Sequence, residues 1–340
     1  MSRGAQLAAT VAEAPLGERI GPFIFWPLLA ILVGIIVWAM LKRSRQARTG
    51  SRPAPGGKSW TRPEDYREHH RVVWDEDPAA FEADSSHVPL AVAAVFGVCS
   101  GDAWDALGYR NRRNAEEGLQ EAWGIRSRAQ LLGRLYWILR EGHRVGFQQE
   151  IDAWSSLGDS DAKQLAKSLR KHGTQDALEQ AWRMQQVHEN ARRIRDTRFA
   201  AWDLVRASML CRAGYTLGWL TEAEAEDTLR LLTTHLQSLY SDWAELGEHF
   251  MRARWYWGGG SGLESKQEDA HDASRQQALL DPARGPWAHV PWSLPVPDSR
   301  VLLADALVAE ELIEQLPFDS PTPLAAFIDT AIASRLPERP

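Results

Sequence analysis

Apolar positions along this chain recur with the period of an α-helix, and sustained strand-like alternation is absent. Leu131, Leu135, Ile138 and Leu139 make an i, i+4, i+7, i+8 stripe. Ser127 and Gln130 precede it at capping-box spacing, and Gly142 closes it. The pattern then predicts helices over 145–157, ending at Gly158, and over 160–172, with Gly173 in the C′ place. Thr174 starts a longer helical stretch that reaches Ala213 with a break near Asp196. Thr221 with Glu224 repeats the capping-box signature ahead of Leu229, Leu232, Leu236 and Tyr240, and Ser241 opens a helix running to Tyr256. Upstream, a polar helix is expected over 63–74 and an apolar, small-residue helix over 87–98 that ends near Gly101. Two further helical pieces are expected around 304–316 and 324–336.

The first apolar run differs in kind. Residues 20–41 (IGPFIFWPLLAILVGIIVWAML) carry no charge and have the ~20-residue length that spans a hydrocarbon core of about 30 Å. Trp26 and Trp38 sit near its ends, where indole rings favour the membrane interface. Lys42, Arg43, Arg45, Arg48 and Arg52 follow, whereas Arg3 and Arg19 before it are opposed by Glu13 and Glu18. The positive-inside rule then places the N-terminus outside and the rest of the chain in the cytoplasm. A cleaved signal peptide fits less well, because the apolar run is long, has no basic segment ahead of it and ends in charge.

The expected fold class is all-α: an irregular multi-helix globular domain after a single N-terminal transmembrane helix. The expected organisation is an extracytoplasmic tail (1–19), the membrane helix (20–41) and a basic Pro/Gly/Ser linker (42–62). A helical core (63–257), a Gly- then Pro/Trp-rich irregular segment (258–300) and C-terminal helices (301–340) follow.

Composition sharpens this in three places. The 18 prolines avoid the whole stretch between Pro89 and Pro282, as a helical bundle requires when interior proline costs about 3 kcal/mol. The 16 tryptophans are several times the usual number. Charge is −6 overall, and because the first 62 residues are basic, the remainder is more acidic still. Such a domain is a poor match to a phosphate backbone, so nucleic acid is not an expected partner. The two cysteines, Cys99 and Cys211, form no CxxC and suggest no disulfide framework.

Two blocks carry a family signature. The first holds Trp123-Gly-Ile, the leucine-rich helix, and Gly142-His143 before Phe147. The second holds Trp202-Asp203-x-x-Arg206, Gly214-Tyr215-x-x-Gly218, Thr221-Glu222, Tyr240-x-x-Trp243 and Trp255. Residues 123–257 thereby resemble a bacterial family known as domain of unknown function 1266. The departure is at Met251-Arg252-Ala253-Arg254, where the family often has Gly-Arg before the last tryptophan. The resemblance implies a helical domain, sometimes membrane-tethered, and brings no activity with it. Together with the charge pattern it points to the bacterial inner membrane.

Candidate chemistry is sparse. Asp203 and Arg206, three apart, share one helix face and suit either a buried ion pair locking helices or a polar-ligand site, with His143 as the third member. His143 follows Gly142 at a helix end, a place for hydrogen bonding to terminal carbonyls. Cys99 lies in a G-x-C-x-G string, but a nucleophile elbow needs a strand before it and the context is helical. His69 and His70 are adjacent and point to different helix faces; no HExxH, Walker loop or GxGxxG occurs, so no metal and no cofactor is expected. The string Trp-x-x-Leu-Gly at Trp104, Trp154 and Trp243 lacks the constant offset of a repeat array. Most tryptophans read as core anchors; Trp255, Trp257, Trp287 and Trp292 are the candidates for an exposed aromatic interaction surface.

The function expected from these readings is a membrane-tethered cytoplasmic module of protein–protein interaction or regulation. Its partners would be the bilayer, through residues 20–41, and a protein. The alternative is a small-ligand sensor or enzyme with a polar pocket around Asp203, Arg206 and His143.

Overall fold

A computed structural model describes residues 61–259, 263–317 and 320–336. The expected tail (1–19), the apolar run (20–41) and all but the last two residues of the linker (42–62) lie outside the described residues. Among the described residues the regular structure is helical, with one isolated β-bridge between Val73 and Ala103, and no helix there is long and apolar enough to cross a membrane.

The chain forms α1 (His87–Ser100), α2 (Arg112–Trp123), α3 (Arg128–Arg140), α4 (Arg144–Ser155), α5 (Asp159–His172) and α6 (Gln175–His188). It continues through α7 (Ala200–Thr216), α8 (Glu222–Leu239), α9 (Trp243–Gly258), α10 (Leu263–Leu279), α11 (Pro286–His289), α12 (Leu302–Ala309) and α13 (Pro323–Ala333). Short 3₁₀ turns occupy Pro63–Tyr66, Ala191–Asp196 and Ile313–Gln315.

The punctuation in the sequence sets most of these boundaries. Thr221 and Glu224 close the full capping box at the start of α8, satisfying two backbone donors that would otherwise be orphaned. Ser127 accepts from Gln130 N–H, while the Gln130 side chain returns to Arg126 N–H, one residue earlier than the box would have it. Thr174 and Asp242 cap α6 and α9 in the same way. Gly101 and Gly173 end α1 and α5 in the left-handed region, which costs glycine little.

Helix α7 is the centre of the packing. It lies against α1, α3, α4, α8 and α9, and it is buried around its whole circumference, including Asp203, Arg206 and Arg212. Arg212 has no exposed surface; its Nη2 donates to the carbonyls of Ala103 and Ala106 at 2.6 and 2.7 Å, and its guanidinium lies 4.6 Å from the Tyr109 ring centroid. One buried side chain thus organises the loop after α1. At Gly214 a Cβ would overlap the Leu131 side chain, so the close approach of α7 to α3 requires glycine there.

Two expectations need correction. Residues 63–74 form only the 3₁₀ turn Pro63–Tyr66 and then run irregularly to the Val73 bridge, because few apolar residues are available to hold a longer helix. The segment 258–300 is not uniformly irregular: its charged first part is α10, packed on α1, α9 and the Pro63–Tyr66 turn. Helix α2, with only Ala115 and Leu119 buried, lies where no element was expected, although Ala115, Leu119, Ala122 and Trp123 stand at i, i+4, i+7 and i+8. The first C-terminal helix, expected over 304–316, stops at Ala309, and the second, expected over 324–336, spans Pro323–Ala333; both fold back, α12 onto α8 and α3, and α13 onto α3. Tyr136 Oη lies 2.7 Å from Asp329 Oδ1 and 2.6 Å from the Pro317 carbonyl, fastening that return.

Candidate functional site

Asp203, Arg206 and His143 do come together. Asp203 sits in the first turn of α7 with no exposed surface. Its Oδ1 accepts from Arg206 Nη2 at 2.8 Å and faces His143 Nδ1 at 3.5 Å; its Oδ2 accepts the backbone N–H of Arg144 at 2.9 Å. The carboxylate therefore meets the N-termini of both α4 and α7, where helix dipoles favour negative charge. Arg206 Nη2 also reaches His143 Nδ1 at 2.8 Å, and its guanidinium lies 4.3 Å from the Trp202 ring centroid.

The electrostatics follow from this enclosure. Burial resists ionisation of Asp203, but the charges of Arg206 and Arg144 overcome it and hold the carboxyl at about 2. Burial pulls Arg206 down to about 10, still fully charged at neutral pH. Burial and then Arg206 lower His143, so its imidazole is neutral and Nδ1 accepts from the guanidinium.

The expected role of His143 at terminal carbonyls belongs instead to Arg144, whose guanidinium donates to the carbonyls of Ile138 and Leu139 at the end of α3. The left-handed Gly142 (φ 55°) turns the chain there, and a Cβ on it would overlap Asp203 Oδ2. The cluster thus joins the α3–α4 corner to α7. His143 keeps an edge toward solvent, with its side chain 27% exposed, while Asp203 has none. Every charged group of the cluster already has its partner inside it. As chemistry it can hold helices in register and accept a contact at His143; a carboxylate so engaged is not free to take a substrate proton.

The four tryptophans singled out for an exposed platform do not make one. Trp255 and Trp287 are buried, and Trp257 and Trp292 are half-buried. Trp287 stacks on Trp243 at 5.3 Å and donates to the Ala91 carbonyl at 2.9 Å. Trp292 meets Trp243 edge-on at 4.6 Å and donates to the Tyr240 carbonyl at 3.0 Å. The Pro/Trp-rich segment is therefore the cover of the α8–α9 corner, each buried indole with its N–H satisfied.

A second cluster was not legible in the sequence. His70, after the Pro63–Tyr66 turn, Cys99, in the last turn of α1, and His271, on α10, bring one nitrogen or sulfur each to within 4.8 Å of one another. The two imidazoles meet edge to face at 4.4 Å, with Tyr66 against both. Asp272 lies 3.5 Å from His271 Nδ1 and is gripped by Arg275 and by Arg254, the latter at 2.6 Å. Arg275 Nη1 reaches Cys99 Sγ at 3.9 Å. Burial works against ionisation of Cys99, yet Arg275 and the imidazoles of His271 and His70 outweigh it and hold the thiol well below its ordinary range. The only advance signals were a cysteine between two glycines and a histidine pair. What unites them is the packing of α10 across α1 and the Pro63–Tyr66 turn.

No curated protein and no solved structure matches the chain. The sequence of residues 118–292, just over half of the chain, matches the family described as protein of unknown function, DUF1266. That segment runs from α2 through α11 and so contains the Asp203 cluster, Gly214 and the Trp243–Trp287 stack. With the match extending past the quoted motifs on both sides, the chain belongs to the DUF1266 family.

Proposed function

We propose that this chain is a membrane-tethered helical module of interaction or regulation, with residues 20–41 as its anchor and its helical domain on the cytoplasmic face. The observation that carries this over an enzyme built on Asp203 is the internal saturation of that carboxylate by Arg206 and the Arg144 N–H. Catalytic acids and bases need a proton to move; Asp203 is committed to packing. The uncharged run at 20–41 and the basic residues after it support the tether. Anchoring raises local concentration beside other membrane proteins, which favours contacts too weak to persist in free solution.

The experiment is cross-linking of the tagged full chain in its native membrane, followed by affinity purification. A chain lacking residues 20–41 is purified in parallel. This reading expects a stoichiometric protein partner whose recovery falls when the run is removed. Equal recovery without the run contradicts tethering, and recovery of no partner contradicts the interaction role.

A further inference from the structure

We propose that His70, Cys99 and His271 form a binding site for a borderline divalent metal ion of the zinc type, with a fourth coordination position facing solvent. This goes beyond the tethered-module reading and does not depend on it.

The donor set is the first support. Two imidazoles and one thiol are the ligands that zinc-type ions favour over oxygen-rich sets. Their ligand atoms lie within 4.8 Å of one another. Around a tetrahedral ion with Zn–S near 2.3 Å and Zn–N near 2.0–2.1 Å, donors stand ~3.3–3.7 Å apart. Closing the site therefore takes side-chain movements of about 1 Å, within the range of small χ rotations.

His70 is the second and independent support. Its side chain is only 5% exposed, yet among the described residues neither ring nitrogen makes a hydrogen bond. Leaving a buried polar group without a partner costs about 1–3 kcal/mol. Coordination to a metal supplies that missing partner for one nitrogen. A thiol nucleophile activated by His271 and Asp272 has no use for His70, whereas a three-ligand metal site needs it.

The surroundings complete the arrangement. Asp272 stands by Nδ1 of His271, which leaves Nε2 to coordinate, the carboxylate–histidine–metal relay that orients such ligands. Cys99 and His271 are half-buried, so an ion has a route in and an exchangeable ligand can complete the shell. Arg254, already paired with Asp272, and Arg275 are the opposing charges, and of the two it is Arg275 that touches the thiol. Its contact to Sγ is long, at 3.9 Å, and its charge is already met by Asp272. It can stay as an N–H donor to a metal-bound sulfur.

The test uses the full chain purified in detergent, reduced and treated with chelator, then titrated with Co²⁺ as a coloured stand-in for Zn²⁺. The expected result is saturation at one equivalent, with a thiolate-to-metal charge-transfer band and the visible bands of a four-coordinate ion, both erased by Zn²⁺. Cys99→Ser should lose the charge-transfer band, and His70→Gln should weaken Co²⁺ binding at least tenfold. A second readout needs no variant: Zn²⁺ should slow iodoacetamide labelling of Cys99 in the unaltered protein, read by mass, with buried Cys211 as internal reference. Absence of a saturable band, its survival in Cys99→Ser, or labelling of Cys99 at the same rate with and without Zn²⁺ would overturn the proposal. Rapid labelling in both conditions would instead mark Cys99 as a free nucleophile.

Discussion

The backbone N–H of Arg144 donates to Oδ2 of Asp203 at 2.9 Å, so the first peptide of α4 is held by a carboxylate in the first turn of α7. Around that one bond Arg206 and His143 close the remaining face of Asp203. Removing the carboxylate would leave the buried Arg144 N–H without its acceptor and the buried Arg206 charge without its counter-ion. Asp203→Ala is predicted to destabilise the domain by about 3–5 kcal/mol, the usual effect of breaking a buried pair from one side. Asp203→Asn, which keeps an acceptor oxygen, should destabilise it less. Urea unfolding of both variants checks the order.

The same carboxylate sets a pH dependence. Its folded pKa, about 2, lies below the unfolded value near 3.9. Its stabilisation is therefore fully present above the unfolded pKa and is lost as pH falls through the folded one. On the order of 2 kcal/mol should disappear between about pH 5 and pH 2. Urea midpoints measured across that window should fall more steeply for the unaltered chain than for Asp203→Asn. Parallel curves would show that Asp203 is not the group responsible.

Two glycines in neighbouring places should respond with opposite signs. Gly142 has φ 55° and no room for a Cβ beside Asp203, so Gly142→Ala should destabilise by more than about 1–2 kcal/mol. Gly133 sits inside α3 with nothing within 4 Å of a built Cβ, so Gly133→Ala should stabilise by about 0.5–1 kcal/mol. Thermal denaturation of the pair separates a required glycine from a tolerated one.

Arg212 predicts a further effect. Its guanidinium satisfies the carbonyls of Ala103 and Ala106 from a fully buried position. Arg212→Met should destabilise by about 3 kcal/mol, since each buried acceptor left unmade costs about 1–3 kcal/mol. Arg212→Lys should recover little of it, because one ammonium cannot reproduce the planar fork. Hydrogen exchange over residues 101–110 should rise in both variants.

Much of the helical order was readable because its signals are local. Thr221 with Glu224, Thr174, Gly101 and Gly173 each fix a boundary through bonds spanning a few residues. The Asp203–Arg206 pair was readable for the same reason, being three apart on one helix. The addition of His143 came from the family motif, and its orientation toward Arg206 did not follow from either. Helix α10 was hidden because its charged sequence gives a weak apolar stripe next to a glycine break. The His70–Cys99–His271 cluster was hidden with it, since its members are far apart in sequence and meet only when α10 lies across α1. Trp287 and Trp292 looked available for a partner because they lie around the glycine break; the core they cover, Trp243 and the α8–α9 corner, is set by tertiary packing.

The tether is tested most directly by alkaline extraction of membranes from cells making the full chain. An anchored protein stays in the pellet at high pH, whereas one held by surface charge or by another protein is released. The account predicts that the full chain remains with the membrane pellet. Its release into the supernatant would contradict a membrane-spanning anchor at residues 20–41, and with it the tethered-module reading.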